Sequence, residues 1–239
     1  MNLFYAEPEL IAGSSLILEG PEFHHAFKVL RMQRGDVIRL TDGKGIIYSG
    51  VVAGVEKRSA RIEIEEKREG ADLRPRYSVA VGNIRQRSRI EFAIEKAVEL
   101  GVRQFLLFNG DHSEKGGVKL ERLHTAALSA MKQSLRSWLP GVRHCDSLER
   151  LLDESPFAPV YMADETLDMA ADPIRSEQEQ DEPLLVIGPE GGFSEMERAL
   201  LKARKAKGFS LGCARLRTET AVLAALCKFN TNAEASQDH

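Results

Sequence analysis

Short runs in the first third of the chain alternate between hydrophobic and polar residues, a pattern typical of β-strands. In the last run, Ala60, Ile62 and Ile64 stand at every second position. One segment with helical spacing, residues 22–32, interrupts the runs. The pattern predicts a small twisted sheet or barrel. The predicted strands are residues 15–19, 36–40, 46–55 and 59–66.

After residue 76, strands alternate with helices, which predicts an α/β sheet. The preceding segment, 66–76, is charged and broken by Gly70 and Pro75, so we interpret it as a linker at a domain boundary. A polar insert at 176–182 predicts a solvated loop. The predicted strands are 77–81, 105–108, 160–162, 184–187 and 209–211, and the predicted helices begin near residues 88, 120, 194 and 218.

Three helix starts carry capping signals. Ser88 with Glu91, and Ser194 with Glu197, have the capping-box spacing, in which the two side chains satisfy free backbone N–H groups. Thr218 is the predicted N-cap of the last helix. The last two of these signals place helix N-termini shortly after the glycine-containing turns at residues 188–192 and 211–212.

The composition predicts a globular protein with its own core. The 239 residues are 43% hydrophobic and 29% charged, which excludes wholesale disorder. The longest apolar run, residues 221–227, is too short to cross a bilayer, and the N-terminus lacks a secretory pattern. The cysteines Cys145, Cys213 and Cys227 form no C-x-x-C pair, so we expect free thiols, a cytoplasmic location and no membrane association.

Charge is distributed unevenly along the chain. Residues 1–76 carry 12 basic and 12 acidic groups, residues 77–145 carry 11 and 6, and the remainder carries 10 and 18. A locally basic surface on an acidic protein favours a polyanionic partner, although a solvated surface explains it equally well. No metal is expected, because the adjacent His24 and His25 point about 100° apart on a helix and lack a partner cluster.

The turn Gly188–Gly192 joins a buried strand to a helix, the place where open α/β sheets bind ligands. Its sequence, GPEGG, lacks the lysine and spacing of a triphosphate loop and lacks G-x-G-x-x-G. Glu190 adds a negative charge that repels phosphate. The turn therefore predicts a phosphate-free ligand such as an adenosyl group with a cationic sulfonium. The alternative is a tight loop whose glycines only permit unusual dihedral angles.

A second turn follows about twenty residues later, at Leu211-Gly212, and leads into Arg215–Ala221. Its residues 217–219 can be an ordinary helix cap with flanking charges. Paired with the first turn, they predict the second wall of one pocket.

These motifs resemble those of the RsmE methyltransferases of the SPOUT superfamily. The resemblance extends over nearly the whole chain in the same order, with two departures, at Cys213-Ala214-Arg215 and near Gly116-Gly117. The segments that carry it are HHAFKVLRMQRGD (24–36), EKAVELGV (95–102), KQSLRSWLP (132–140), IGPEGGFSEMER (187–198), LG (211–212) and RLRTETA (215–221).

The resemblance implies a PUA-like RNA-binding β-barrel in residues 1–70 and a SPOUT α/β domain with a trefoil knot in residues 77–233. It implies a homodimer that uses S-adenosyl-L-methionine to methylate N3 of a uridine in 16S ribosomal RNA of the small ribosomal subunit. The alternatives are a SPOUT methyltransferase acting on another RNA and a non-catalytic RNA-binding protein.

By the same resemblance, the donor is held by two turns and the end of a neighbouring strand. Because uridine N3 carries a proton, the site must either remove this proton, with Glu219 or Glu190 as the base, or stabilise the uridine anion, with Arg217 or Arg136. The residues do not decide among them, and Glu219 can also be an ordinary carboxylate stabilised by the helix N-terminus. RNA phosphates are expected to contact Lys28, Arg31 and Arg136. Further candidates are Arg85, Arg87, Arg89 and Lys132, although each of these charges alone is more often a solvated surface charge. The predicted donor-binding residues are Met162, Ala163, Ile187, Gly188, Pro189, Glu190, Gly191, Gly192, Leu211, Gly212, Leu216, Arg217, Thr218 and Glu219.

Overall fold

The computed structural model describes residues 2–72, 77–114, 117–154, 157–165 and 182–235. It forms two compact units, the first made of residues 1–74 and 128–139 and the second of residues 75–127 and 140–239. The first part of the segment that was predicted as a linker, residues 66–69, is the end of a β-strand instead. The predicted polar insert lies, apart from Glu182, outside the described residues.

The first unit contains one six-stranded sheet in the order β1-β4-β5-β6-β3-β2. All its neighbouring pairs are antiparallel except β1 with β4. The predicted alternation is confirmed in β6, where Ala60 and Ile62 are buried. The strands are β1 (Phe4–Tyr5), β2 (Ile11–Ala12), β3 (Ser15–Glu19), β4 (Val37–Thr41), β5 (Ile46–Val55) and β6 (Ser59–Glu69).

The single helix predicted at residues 22–32 is a short helix α1 (Gly20–Phe23) followed by a π-helical turn, His24–Val29. Phe23 and Phe27 stack with ring centroids 5.1 Å apart, which buries both against the sheet core. The helical spacing is therefore confirmed, whereas the helix type differs from the prediction. Arg31 follows with a φ of 57°, which is uncommon for a residue with a side chain.

Residues 128–139 belong to the first unit, although the predicted division assigned them to the second. Gly45 N donates to Ser137 O at 2.9 Å, and Leu139 N donates to Gly43 O at 2.8 Å. The ring of Trp138 occupies the space that a side chain at Gly45 would need. These long-range contacts have no local signature in the sequence.

The second unit is a parallel sheet in the order β12-β10-β11-β7-β8-β9 with helices between its strands. The predicted strand 184–187 is confirmed as β11, and the helix predicted to begin near residue 120 spans Leu120–Gln133. Strand β9 and helix α4 were not predicted. The strands are β7 (Ser78–Gly82), β8 (Gln104–Phe108), β9 (Gly141–Cys145), β10 (Val160–Ala163), β11 (Leu184–Ile187) and β12 (Lys207–Phe209). The helices are α2 (Arg87–Glu99), α3 (Leu120–Gln133, which ends in the first unit), α4 (Leu148–Asp153), α5 (Glu195–Ala203) and α6 (Thr218–Ala235).

The capping box predicted at Ser88 and Glu91 is wrong. Helix α2 begins one residue earlier, and its N-cap Gln86 makes no side-chain capping bond. Glu91 instead pairs with Arg122, with Oε1 3.2 Å from Nε. The box at Ser194 and Glu197 is confirmed.

An aromatic cluster fixes helix α6 on the sheet. The ring of Phe229 makes edge contacts with Tyr77, Tyr161 and Phe209, with centroids 5.5, 4.8 and 5.2 Å away. Such contacts add to the free energy gained by burial. Because α6 is anchored at Phe229, the position of its N-terminus, at Thr218, is fixed as well.

Candidate functional site

The candidate site lies at the carboxyl ends of β12, β10 and β11, which are neighbours in the parallel sheet. The segments that follow these strands surround a cavity of about 370 Å³. This volume is in the range of sites that bind small ligands. The cavity is lined by Arg89, Ala163, Asp164, Glu165, Ile187, Gly188, Pro189, Glu190, Gly192, Phe193, Arg198, Leu211, Gly212, Ala214, Arg215, Leu216, Arg217, Thr218 and Ala221.

The structure brings both predicted turns to this one cavity. Three of the predicted residues do not line it, namely Met162, Gly191 and Glu219. Met162 packs instead against the hydrophobic core of the unit. The predicted residues that do line it are Ala163, Ile187, Gly188, Pro189, Glu190, Gly192, Leu211, Gly212, Leu216, Arg217 and Thr218.

The capping box of helix α5 fixes the end of the first turn. Ser194 N donates to Glu197 Oε2 at 2.8 Å, and Glu197 N donates to Ser194 Oγ at 3.1 Å. The second Glu197 oxygen accepts from Asp111 N at 3.2 Å, so the loop after β8 also supports the turn. Gly192 has a φ of 71°, a conformation that glycine adopts without strain.

Gly191 faces away from the cavity. A Cβ atom at this position would lie 2.8 Å from His112 Cβ, so a larger residue would disturb the packing of the turn against the loop after β8. Gly191, which was predicted to bind the donor, therefore serves the packing of the turn and does not line the cavity.

The second turn is held by hydrogen bonds from its own neighbours. Gly212 N donates to Ser210 Oγ at 3.3 Å, and Lys228 Nζ of α6 donates to Ser210 O at 3.2 Å. Gly212 has a φ of 116°, a region that residues with a Cβ rarely adopt. The turn thus has a defined conformation that depends on glycine.

Thr218 connects the two turns directly. Helix α6 begins at Thr218, so the prediction that this residue is the N-cap is wrong. Its hydroxyl instead donates to the carbonyl of Gly188 at 3.3 Å. The side chain is buried. The two turns are therefore joined across one wall of the cavity.

Three of the four arginines that line the cavity are paired with the three carboxylates that line it. Arg89 contacts Glu190, Arg198 Nη1 lies 2.6 Å from Asp164 Oδ2, and Arg215 Nε lies 3.9 Å from Glu165 Oε2. The predicted repulsion of phosphate by Glu190 is consequently weaker than its charge alone suggested. The fourth arginine, Arg217, is exposed at the cavity and forms no ion pair within the described part of the chain.

Sequence reasoning missed several cavity residues. Phe193 and Arg198 lie in a motif that carries the resemblance, but nothing local marks them as cavity residues. Arg89 was predicted only as a phosphate contact. These positions could have been found only from the order of the strands.

A close approach between β7 and the first turn sets the position of that turn. A Cβ atom at Gly82, the last residue of β7, would lie 2.9 Å from Pro189 Cα and still closer to Pro189 N. No local pattern indicates this contact, since the two residues are far apart in the chain.

The three predicted RNA contacts all lie in the first unit. Lys28 and Arg31 are exposed, and Lys28 Nζ lies 5.7 Å from the centroid of the Phe23 ring. Arg136 Nη1 lies 3.9 Å from Asp72 Oδ2, and its side chain is 24% exposed. Arg136 is thus less accessible to a phosphate than the other two.

Within the described ranges, no group of three or more histidine, cysteine, aspartate or glutamate side chains is arranged to hold a metal ion. No helix of the described residues is both long enough and apolar enough for a membrane span.

Comparison with known proteins gives matches over both units. A family model of an RNA methyltransferase domain matches residues 73–230, and one of an RNA methyltransferase PUA domain matches residues 18–65. A "Ribosomal RNA small subunit methyltransferase E" of Aquifex aeolicus is 30% identical over 231 residues, which cover 93% of this chain and 96% of the relative.

Two solved structures are similar over nearly their full length. A probable rRNA methyltransferase from Porphyromonas gingivalis is 33% identical with a TM-score of 0.84, covering 99% of this chain and 100% of that one. A ribosomal RNA small subunit methyltransferase E from Neisseria gonorrhoeae, bound to S-adenosyl methionine, is 27% identical with a TM-score of 0.83, covering 97% of each chain.

Proposed function

The chain belongs to the RNA methyltransferase family of the ribosomal RNA small subunit methyltransferases E, and from this we propose that it methylates N3 of a uridine in 16S ribosomal RNA. The resemblance seen in the motifs is confirmed, as are the PUA-like first unit and the α/β second unit. The protein is an S-adenosyl-L-methionine-dependent rRNA methyltransferase. The resemblance of the motifs supports N3 as the methylated position.

The cavity between the two turns carries this proposal, because its residues fit the donor. Backbone groups of Gly188, Gly192 and Gly212 are accessible there without intruding side chains. Three of the four lining arginines are paired with carboxylates, so among the described residues the cavity lacks the cluster of free cations that a triphosphate requires. We assign the adenosyl and methionine parts of the donor to the two turns and to Ala163 at the end of β10.

Methyl transfer breaks the S–CH₃ bond and forms an N3–CH₃ bond, while the N3 proton leaves the uridine. The donor, when bound, supplies the electrophilic methyl group, and the protein contributes mainly by positioning. Glu190 and Glu219, which both contact Arg89, stay the two candidates for the base that takes the N3 proton. Arg217 is exposed at the cavity, so we assign it, rather than Arg136, the stabilisation of the uridine anion.

The proposal is tested by nucleoside analysis of ribosomal RNA. A strain that lacks the gene is expected to lose 3-methyluridine from 16S rRNA and to regain it when the wild-type gene is supplied. Unchanged 3-methyluridine in the deletion strain, with loss of another methylated nucleoside, would support the alternative of a different RNA target. No change in any methylated nucleoside would contradict an enzymatic role.

The first unit is proposed to bind RNA through Lys28, Arg31 and Arg136. Replacing Arg31 with alanine is expected to weaken RNA binding severalfold and to reduce the slope of log affinity against log salt by about 1, because one phosphate contact is lost. Fluorescence anisotropy with a 16S rRNA fragment at two salt concentrations measures both effects. The affinity for S-adenosylhomocysteine is expected to stay unchanged.

Arg58→Ala serves as the control for Arg31, since it removes the same charge from the exposed turn between β5 and β6. Equal losses of RNA affinity in the two variants would mean that Arg31 acts only through net charge. A parallel loss of S-adenosylhomocysteine affinity in Arg31→Ala would contradict the division of roles between the units. The homodimer and the trefoil knot stay predictions from the resemblance, and the cytoplasmic location stays a prediction from the cysteine pattern.

A further inference from the structure

The side chain of Arg89 meets carboxylates from both turns of the cavity. Its Nη1 donates to Glu190 Oε1 in the first turn, and its Nε lies 3.6 Å from Glu219 Oε1 in α6, directly after the second turn. Arg89 itself lies in the first turn of α2 and lines the cavity. One guanidinium thus connects three separate elements of the second unit.

Glu219 depends on this arginine. The residue is only 8% exposed, and its second oxygen, Oε2, is buried with no hydrogen-bond partner among the described residues. A buried carboxylate that lacks compensation is costly. The N-terminus of α6 and the Arg89 guanidinium both provide a positive potential close to it.

The shape of the arginine side chain suits this shared role. A planar guanidinium offers several N–H donors in fixed directions, so it can face two carboxylates at once, whereas a lysine ammonium is a single compact charge. Together with the Thr218–Gly188 hydrogen bond, the contacts of Arg89 hold the two turns at one separation. Because the two turns are already held in place, binding of a ligand does not lose the conformational entropy that ordering them would cost.

We propose that Arg89 is a positioning residue for the methyl donor, which holds the Glu190 turn and the Glu219 helix start in the arrangement that binds it. This role rests on the proposed function and adds a residue to it. It differs from the phosphate contact expected of Arg89, because two carboxylates engage the guanidinium and the side chain is only 26% exposed.

The test measures donor affinity by calorimetry with S-adenosylhomocysteine. Arg89→Met is expected to weaken binding by about tenfold or more, in the range of coupling between linked sites. It should raise the KM for S-adenosylmethionine while leaving the KM for RNA unchanged. Arg89→Lys is expected to recover part of the affinity, because it restores the charge without the second contact. The double variant Arg89→Met, Glu190→Gln should lose little more donor affinity than Arg89→Met alone, since both changes break the same interaction.

Arg150→Met is the matched control. Arg150 also pairs with two carboxylates, Asp146 at 2.9 Å and Glu154 at 2.6 Å, but it lies on α4 outside the cavity lining. Its replacement is expected to leave donor affinity unchanged. If Arg150→Met loses as much donor affinity as Arg89→Met, the proposal is overturned. Such a result would show that removing any doubly paired arginine weakens donor binding through a general effect on the fold.

Two further outcomes would overturn the proposal: a wild-type donor affinity in Arg89→Met, and an increased KM for RNA with an unchanged KM for the donor. Should Arg89→Met not fold, Arg89→Lys decides, since it keeps the positive charge of the side chain but not the planar guanidinium. A weakening of donor affinity by about threefold or more in Arg89→Lys would support the positioning role of Arg89, and unchanged affinity would overturn it. Absence of binding by the wild-type protein would instead contradict the proposed function itself.

Discussion

Replacing Gly212 with valine is expected to lower the affinity for S-adenosylhomocysteine by about 10- to 100-fold. Gly212 lines the cavity with a φ of 116°, where a β-branched residue is strained by about 1–3 kcal/mol. The turn can relieve this strain only by leaving the arrangement that binds the donor. Binding must then restore the strained conformation, and the cost appears as lost affinity. Isothermal titration calorimetry measures the effect.

Gly13→Ala is the control for this prediction. Gly13 also has a positive φ, of 59°, and an added Cβ would have no atom within 4 Å, but the residue lies in the first unit between β2 and β3. We expect the substitution to lower the unfolding free energy by about 1 kcal/mol and to leave donor affinity unchanged. A Gly212→Val protein that binds S-adenosylhomocysteine like the wild type would show that the second turn is not part of the site.

Gly82→Ala is expected to impair both stability and catalysis. The added methyl group would collide with the backbone of Pro189, so either β7 or the first turn must move. We expect a loss of about 1–3 kcal/mol in unfolding free energy from overpacking. A displacement of the turn by about 1 Å is expected to lower kcat/KM for methyl transfer by about 100-fold. Thermal unfolding and a methyl-transfer assay measure the two effects.

Gly141→Ala is the matched control for Gly82→Ala. Gly141 begins β9 in the same sheet, and a Cβ there would be 3.5 Å from the nearest atom, an ordinary contact. Gly141→Ala should leave the unfolding free energy and kcat/KM for methyl transfer close to their wild-type values. If Gly82→Ala loses stability but keeps the wild-type kcat/KM for methyl transfer, the position of the first turn does not depend on its contact with β7.

The parts of the structure that depend on neighbouring residues were predicted well. Strand β11 was recognised from its apolar run, and the start of α5 from Ser194 and Glu197, because strand burial and capping leave local patterns. The same spacing at Ser88 and Glu91 failed, since Glu91 is engaged by Arg122. The capping-box spacing alone therefore does not fix where a helix begins.

The features that depend on chain topology were not predictable from local patterns. Residues 128–139 join the first unit through hydrogen bonds to Gly43 and Gly45, about ninety residues earlier in the chain. The contact of Gly82 with Pro189, and that of Arg89 with Glu190 and Glu219, likewise depend on which strands are neighbours. Motifs identified the two turns, but only the strand order brings them to one cavity.

The central claim is that residues 187–192 and 211–218 form one donor site. Hydrogen–deuterium exchange with and without S-adenosylhomocysteine tests it most directly, because amides that contact a ligand or become more ordered exchange more slowly. We expect slower exchange in both segments at the same ligand concentration, and unchanged exchange in β5 and β6 of the first unit. Protection of only one segment, or of neither while the ligand is bound, would contradict the claim.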